Sequence, residues 1–275
     1  MAVEKIIFNC SLPRSGSTLL QNILAQNPSF YCSPTSGLSE LLVGCRAQFS
    51  ALEQFKAQDA NQMKAAFLGL CNGAIHGFYN GLTDRPICVD KSRGWLHYYK
   101  WLDAFYPNPK ILVCVRDLRA ILSSMEKLYQ NNRHLNDPAD NQTQMNMITR
   151  PNRVISWLNS VPLGITLKRL MDAVEVGTVQ HAHVIRFEDL TTKPKIVMQK
   201  VYEYLGLPYF EHDFDRVEQV TREDDSYYPI YGDHKIRSKV APVPLDYLQT
   251  LGKDVCQGVM ADNVAFYKAF YPEAR

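Results

Sequence analysis

Four short apolar runs constrain this chain most: Lys5–Cys10 (KIIFNC), Pro86–Asp90 (PICVD), Lys110–Val115 (KILVCV) and His183–Phe187 (HVIRF). Each has strand length, and each hands over to a longer stretch with helical character. Strands this continuously apolar need cover on both faces, and helices between successive strands supply it while forcing the strands parallel. The expected fold is therefore α/β, a central parallel sheet with helices on both faces in three layers, with residues 1–275 forming one domain. The helical stretches read as Thr18–Gln26, much of Gly37–Tyr79, Trp95–Phe105, Asp117–Tyr129 and Lys193–Leu205, with Phe30–Cys32 as a short extra strand. Asn131–Asn152 is polar and Asn-rich and reads as a long surface loop. Beyond Phe210 the periodicity is weak.

Composition narrows the function. The 275 residues carry 30 Lys+Arg against 28 Asp+Glu, too small an excess for a bulk polyanion binder, though it permits a local basic pocket. The seven cysteines are odd in number and contain no CxxC, which argues against a zinc ribbon, a redox pair or a complete disulfide framework. MAVEKIIFNC enters a strand without a basic leader, and Ile111–Val115 is far short of the ~20 apolar residues that span a bilayer. A reduced, cytoplasmic protein is expected. The histidines suggest no metal site, since His181 and His183 alternate along a strand with no evident third ligand.

Two motifs carry chemistry. Directly after the first run stands LPRSGSTLL, Leu12–Leu20. Pro13 and Gly16 turn the chain, Ser17 and Thr18 open a helix, and the free N–H groups at that helix start form an anion site. The hydroxyls of Ser15, Ser17 and Thr18 add donors, and Arg14 adds a fixed, bidentate charge. A triphosphate loop of the GxxxxGK[ST] kind would need a glycine at Ser11 and a lysine at Ser17. The second motif is KILVCVRDLRAILSS, Lys110–Ser124, which places Arg116 at a strand tip and Ser123 and Ser124 two turns into the next helix. Ligands of open α/β sheets bind outside the carboxyl ends of strands, so both motifs can face one crevice.

LPRSGSTLL followed about a hundred residues later by VRDLRAILSS resembles the sulfotransferase family, and more narrowly the soluble relatives of the tyrosylprotein sulfotransferases. The resemblance covers roughly residues 4–35, 86–125 and 183–208. It implies that Arg14, Ser15, Gly16, Ser17 and Thr18 hold the 5′-phosphosulfate of 3′-phosphoadenosine 5′-phosphosulfate (PAPS), and that Arg116 and Ser124 hold its 3′-phosphate. PICVDKS maps the family's lysine at the transferring group onto Lys91. IRFEDLTTKP places Phe187 against adenine. YGDHKIRSKV matches the loop that covers the cosubstrate, offering Lys235, Arg237 and Lys239 to phosphates. No metal is implied.

The resemblance implies sulfuryl transfer to a hydroxyl or amine acceptor by in-line displacement, with Arg14 and Lys91 offsetting developing charge. A general base should take the acceptor proton. Here the chain departs from the pattern: Pro34 stands where the tyrosylprotein enzymes carry a glutamate, and Arg93 where the cytosolic enzymes carry a histidine. Glu40 is the nearest carboxylate on the corresponding segment, while Asp90 and His97 flank Lys91. Two other readings stand beside this one, a nucleoside-triphosphate-dependent phosphotransferase and a non-catalytic protein that binds PAPS or its product PAP. The acceptor, whether small molecule, sugar or peptide tyrosine, is not written in the sequence, nor is the oligomeric state.

Overall fold

The computed structural model describes residues 3–132, 148–228 and 233–273. Five strands, β1 (Lys5–Asn9), β2 (Phe30–Thr35), β3 (Ile87–Lys91), β4 (Lys110–Val115) and β5 (Ala182–Arg186), form one parallel sheet in the order β2-β3-β1-β4-β5. Alternation sends Ile6, Phe8, Ile111, Val113 and Val115 to one face and Ile7, Leu112 and Cys114 to the other, where two separate apolar cores receive them. That is the doubly covered parallel sheet anticipated from the unbroken apolar runs.

Helix α1 (Ser17–Leu24) follows β1. Between β2 and β3 lie α2 (Leu38–Ala51), α3 (Glu53–Lys56) and α4 (Ala60–Asn80), and α5 (Tyr99–Phe105) follows β3. After β4 come α6 (Leu118–Asn131), α7 (Arg150–Asn159) and α8 (Leu163–Glu175), and after β5 come α9 (Phe187–Thr192) and α10 (Pro194–Leu205). The chain closes with α11 (Tyr247–Leu251), α12 (Lys253–Asp262) and α13 (Val264–Phe270). Leu20, Ile23 and Leu24 of α1 join Met198, Val201 and Leu205 of α10 on one face. Residues of α4, α5, α6 and α8 fill the other. Because α1 leaves β1 on one side while α5 and α6 leave the flanking strands on the other, a crevice opens over the tip of β1.

Three features depart from the sequence reading. Strand β2 runs on through Pro34 to Thr35, beyond the expected Phe30–Cys32. It pairs only with β3, so as an edge strand it tolerates a residue that cannot donate. The last third, weak in periodicity, contains three short helices, held by burial of Leu251, Cys256, Val259, Phe266 and Phe270 rather than by intrinsic propensity. The Asn131–Asn152 segment is entered by helix at both ends; Thr149 caps α7 by accepting from Asn152 N–H, and residues 133–147 lie outside the described residues. Arg153 on α7 forks onto buried Glu126 of α6 at 2.8 and 2.5 Å, tying the two helices together. Among the described residues no helix is long and apolar enough to cross a membrane.

Candidate active site

The turn after β1 is seated by its neighbours. Cys10 and Leu12 donate to Leu112 and Cys114 carbonyls of β4 at 2.8 and 3.1 Å, and Ser11 Oγ accepts from Cys114 N–H at 2.8 Å. Ser15 Oγ, fully buried, donates back to Leu12 O at 2.6 Å and closes the turn, so its hydroxyl faces inward. Arg14 and Gly16 both adopt left-handed backbone, with φ of 58° and 90°. Glycine is required at 16 twice over: by that φ, and because a Cβ there would come within 2.4 Å of the Phe187 ring. Helix α1 then starts at Ser17 with no side chain capping it, which leaves its first N–H groups directed at the crevice.

A second cationic group stands beside this turn. Arg116, at the tip of β4, donates from Nη1 to Arg14 O at 3.1 Å and lies over the Phe187 ring, 4.5 Å from its centroid. Its Nε is buried with no hydrogen-bond partner among the described residues. Burial pushes the Arg116 pKa down; Glu188 opposes this, while the neighbouring Arg14 charge adds to it. Arg14 Nε reaches Ser124 Oγ at 3.2 Å, and its other nitrogens hold Asp233, Nη1 on the carbonyl at 2.5 Å and Nη2 on the carboxylate at 3.0 Å. Two guanidiniums, one with an orphaned buried donor, beside the uncapped start of α1 fit a ligand anionic at two points.

Lys91 ends β3 one strand away. Its ammonium lies 3.3 Å from Thr18 Oγ1 and 2.9 Å from Glu223 Oε1, with both members of the ion pair buried. Burial lowers the Lys91 pKa and Glu223 counteracts it. Burial alone would raise the Glu223 pKa, but Lys91 and the Thr35 N–H and hydroxyl, at 3.0 and 2.9 Å, hold the carboxyl below its ordinary range. Sequence reasoning missed Glu223 and Asp225, which sit in a loop and a short 3₁₀ turn with no motif around them, and passed over Asp233 and His234 within YGDHKIRSKV in favour of its basic residues. Their one sequence signal was proximity to the basic run at 235–239.

The other candidates fall as follows. Lys235 and Arg237 are exposed on the cleft wall, and Lys239 pairs with Asp215 at 2.7 Å. Glu40 opens α2, is exposed, accepts from the Ser39 and Ser92 hydroxyls at 2.7 and 3.2 Å, and is not among the residues lining the cleft. Asp90 is fully buried, accepting from Ser36 Oγ and Trp95 Nε1 at 2.6 Å and from the Tyr79 hydroxyl, so it serves the core. His97 faces outward and pairs with Asp172 at 3.3 Å. Arg93 does reach the cleft.

These groups share one cleft of about 880 Å³, with Arg14, Gly16, Ser17, Thr18, Lys91, Arg116, Ser124, Phe187 and residues 233–237 on its walls; Ser15, expected from the sequence to join them, is buried beneath the turn with its hydroxyl engaged on Leu12 O. Fold and cleft together define the class: an α/β protein with two guanidiniums and a lysine gathered beside a single helix start. The chain belongs to the sulfotransferase family, whose family model matches residues 7–211. Protein-tyrosine sulfotransferase A of Caenorhabditis elegans is 24% identical over 263 residues, which cover 93% of this chain and 63% of that one; the chain thus spans less than two thirds of that relative. Sulfotransferase STF9 from Mycobacterium avium superposes with a TM-score of 0.54 at 13% identity, over 98% of this chain and 78% of that structure, and shares the fold.

Proposed function

We propose that this protein is a PAPS-dependent sulfotransferase that moves a sulfuryl group to a hydroxyl or amine acceptor. The observation that carries the reading is the convergence of Arg14, Arg116, Ser124 and Phe187 on the cleft that Lys91 enters. When bound, PAPS supplies the transferable sulfuryl group on a phosphosulfate anhydride. The N–H groups at the start of α1, with Arg14 and the Ser17 and Thr18 hydroxyls, hold its 5′ end. Arg116 and Ser124 hold the 3′-phosphate, Phe187 packs beside the base, and Lys235 and Arg237 approach the phosphates from the opposite wall. Lys91, fixed by Glu223 and close to Thr18, places its charge where the leaving oxygen gains negative charge. Such a donor, rigid before the reaction begins, requires no reorganisation in the transition state.

The acceptor is a hydroxyl-bearing small molecule, a sugar or a peptide tyrosine; the name of the nematode relative lends weight to the last. Seven free cysteines, five of them buried, suit a reducing compartment such as the cytoplasm. Calorimetry with PAP and with AMP tests the reading. Loss of the 3′-phosphate removes charge-assisted bonds of ~1.5–3 kcal/mol, so AMP binds roughly 10- to 100-fold more weakly. Equal affinities refute the two-pocket assignment, and with it the sulfotransferase reading.

A further inference from the structure

Transfer to a neutral hydroxyl needs a group that accepts its proton, and neither Pro34 nor Arg93 has one to offer. The carboxylates at the Lys91 end of the cleft are already engaged. Glu223 Oε1 takes three donors, from Lys91 Nζ and from the N–H and hydroxyl of Thr35, which makes it a poor base. Asp233 is held by Arg14. Asp225 is held by His234, receiving its backbone N–H at 3.2 Å and facing Nδ1 at 2.5 Å.

His234 is the group that remains. Gln219 Nε2 anchors its carbonyl at 2.9 Å, the Tyr228 ring stands edge-on at 5.6 Å, and the side chain is largely buried yet lines the cleft. With Nδ1 committed to Asp225, Nε2 points toward the Lys91–Glu223 pair, 3.5 Å from Glu223 Oε2 and so beyond a good hydrogen bond. From the geometry we infer that His234 is the general base of this sulfotransferase, oriented by Asp225, an assignment that rests on the function proposed above. Asp225 fixes the tautomer that leaves Nε2 bare, as a carboxylate behind a catalytic histidine does elsewhere.

The step balances. As the acceptor oxygen bonds to sulfur, the bond from sulfur to the bridging oxygen of the 5′-phosphate breaks and its electron pair leaves with that oxygen beside Lys91. The acceptor proton passes to His234 Nε2 and from there to solvent. Asp225 and Glu223 flank the imidazolium on either side and offset its charge. The other charged or titratable groups facing this ring are Lys91 through Glu223, Arg93 and Tyr228 on the cleft wall, and the Arg14–Asp233 pair next along the chain.

Two measurements test the assignment. In the complex with PAP, at mildly alkaline pH, long-range ¹H–¹⁵N spectra should place the single ring proton of His234 on Nδ1, and Asp225→Asn should disturb that preference. A proton found on Nε2 overturns the proposal whatever the acceptor. In turnover with PAPS, His234→Gln should lose ~10²–10⁴-fold with unsubstituted phenol as acceptor. It should lose far less with 4-nitrophenol, which is largely ionised near neutrality and has little need of a base. PAP affinity should be unchanged. Equal loss with both phenols, no loss with either, or a collapse in Glu40→Gln while His234→Gln stays active, overturns the base. Failure of the wild-type protein to bind PAP instead overturns the parent reading, so the two failures are distinct.

Discussion

The wall of the cleft built from residues 9–18, 91 and 116–124 consists of strand tips and helix starts. The facing wall, Tyr228 and residues 233–240, is backed by residues 213–227, and together these described residues hold a single short 3₁₀ turn at Asp225–Tyr227. The first wall inherits its shape from the sheet. The second is stitched to α1 by side chains: Asn22 Oδ1 accepts from Val220 and Thr221 N–H at 2.6 and 3.0 Å, and its Nδ2 donates to Thr221 Oγ1 at 2.8 Å. Gln26 bridges both backbone groups of Asp213 at 2.8 Å, and Gln219 accepts from Ile236 N–H at 3.1 Å. One wall continues regular secondary structure; the other is held by these amides, by the pairings of Val217 with Ser238 O and Val240 with Phe214 O, and by burial of Val217 and Val240. The regular wall binds the anionic ends of the cosubstrate in our reading, while the irregular wall aims the lysine and the base.

The largest effect comes from cutting the bond between the walls at Lys91. Lys91→Ala should lower turnover by about 10²–10³-fold, while PAP affinity changes little. It also strands Glu223 as a buried unpaired carboxylate, which typically costs ~3–5 kcal/mol. Adding Glu223→Gln should restore much of the thermal stability and none of the activity. Recovery of turnover in the double variant would show that Lys91 serves only as a structural partner of Glu223. Next in size, Arg116→Ala should weaken PAP by roughly 10- to 100-fold and leave AMP nearly unaffected, as calorimetry will read. A parallel loss for both nucleotides would mean that Arg116 supports the turn, through its bond to Arg14 O, rather than the 3′-phosphate.

Asn22→Ala acts chiefly on the irregular wall, removing besides those contacts only the bond from Nδ2 to Thr18 O within α1. Losing four hydrogen bonds, three of them to Val220 and Thr221, should destabilise the protein by about 2–4 kcal/mol, visible as a lowered melting temperature. Amide exchange should quicken at residues 213–223 before it does in β1 or β4. Acid acts on the same wall. The Glu223 carboxyl has a folded pKa below its unfolded value, so its stabilising contribution is full above the ordinary carboxylate pKa. It fades as pH falls through the lowered one. Glu223→Gln should flatten that part of the acid-melting curve, and an unchanged curve would assign the acid sensitivity to other carboxylates.

The same contrast explains what could be read in the sequence. β1, β4 and the turn between β1 and α1 announce themselves because burial on two faces, a left-handed glycine and a helix start each demand particular residue types locally. Arg116 and Ser124 follow from register, one at a strand tip and the other two turns into α6. Glu223, Asp225 and His234 do not, because their partners lie on β2, on β3 and within the loop itself, and side-chain pairing across such separations leaves no period in the chain. Asp90 shows the converse: adjacent to Lys91 in sequence, it projects to the opposite face of β3, among Tyr79 and Trp95, so flanking the lysine gives it no place in the cleft. The helices beyond Phe210 were hidden because packing, not propensity, forms them.

The smallest expected effect bears most directly on how the walls cooperate. Asp233 places a carboxylate on the Arg14 guanidinium that the proposed function assigns to the 5′-phosphosulfate, so nucleotide and irregular wall compete for one cation. Both side chains are partly exposed, at 23% and 36%, so the pair contributes only ~0.2–1 kcal/mol. Asp233→Asn keeps the shape and the carbonyl contact to Nη1 while removing the competing charge. PAP should then bind about 1.5- to 5-fold more tightly, the difference shrinking as salt rises, because screening weakens the competitor in the unsubstituted protein. Weaker binding in Asp233→Asn would reverse the picture: Asp233 would then be the residue that presents Arg14 to the ligand, and the irregular wall would assist nucleotide capture rather than oppose it.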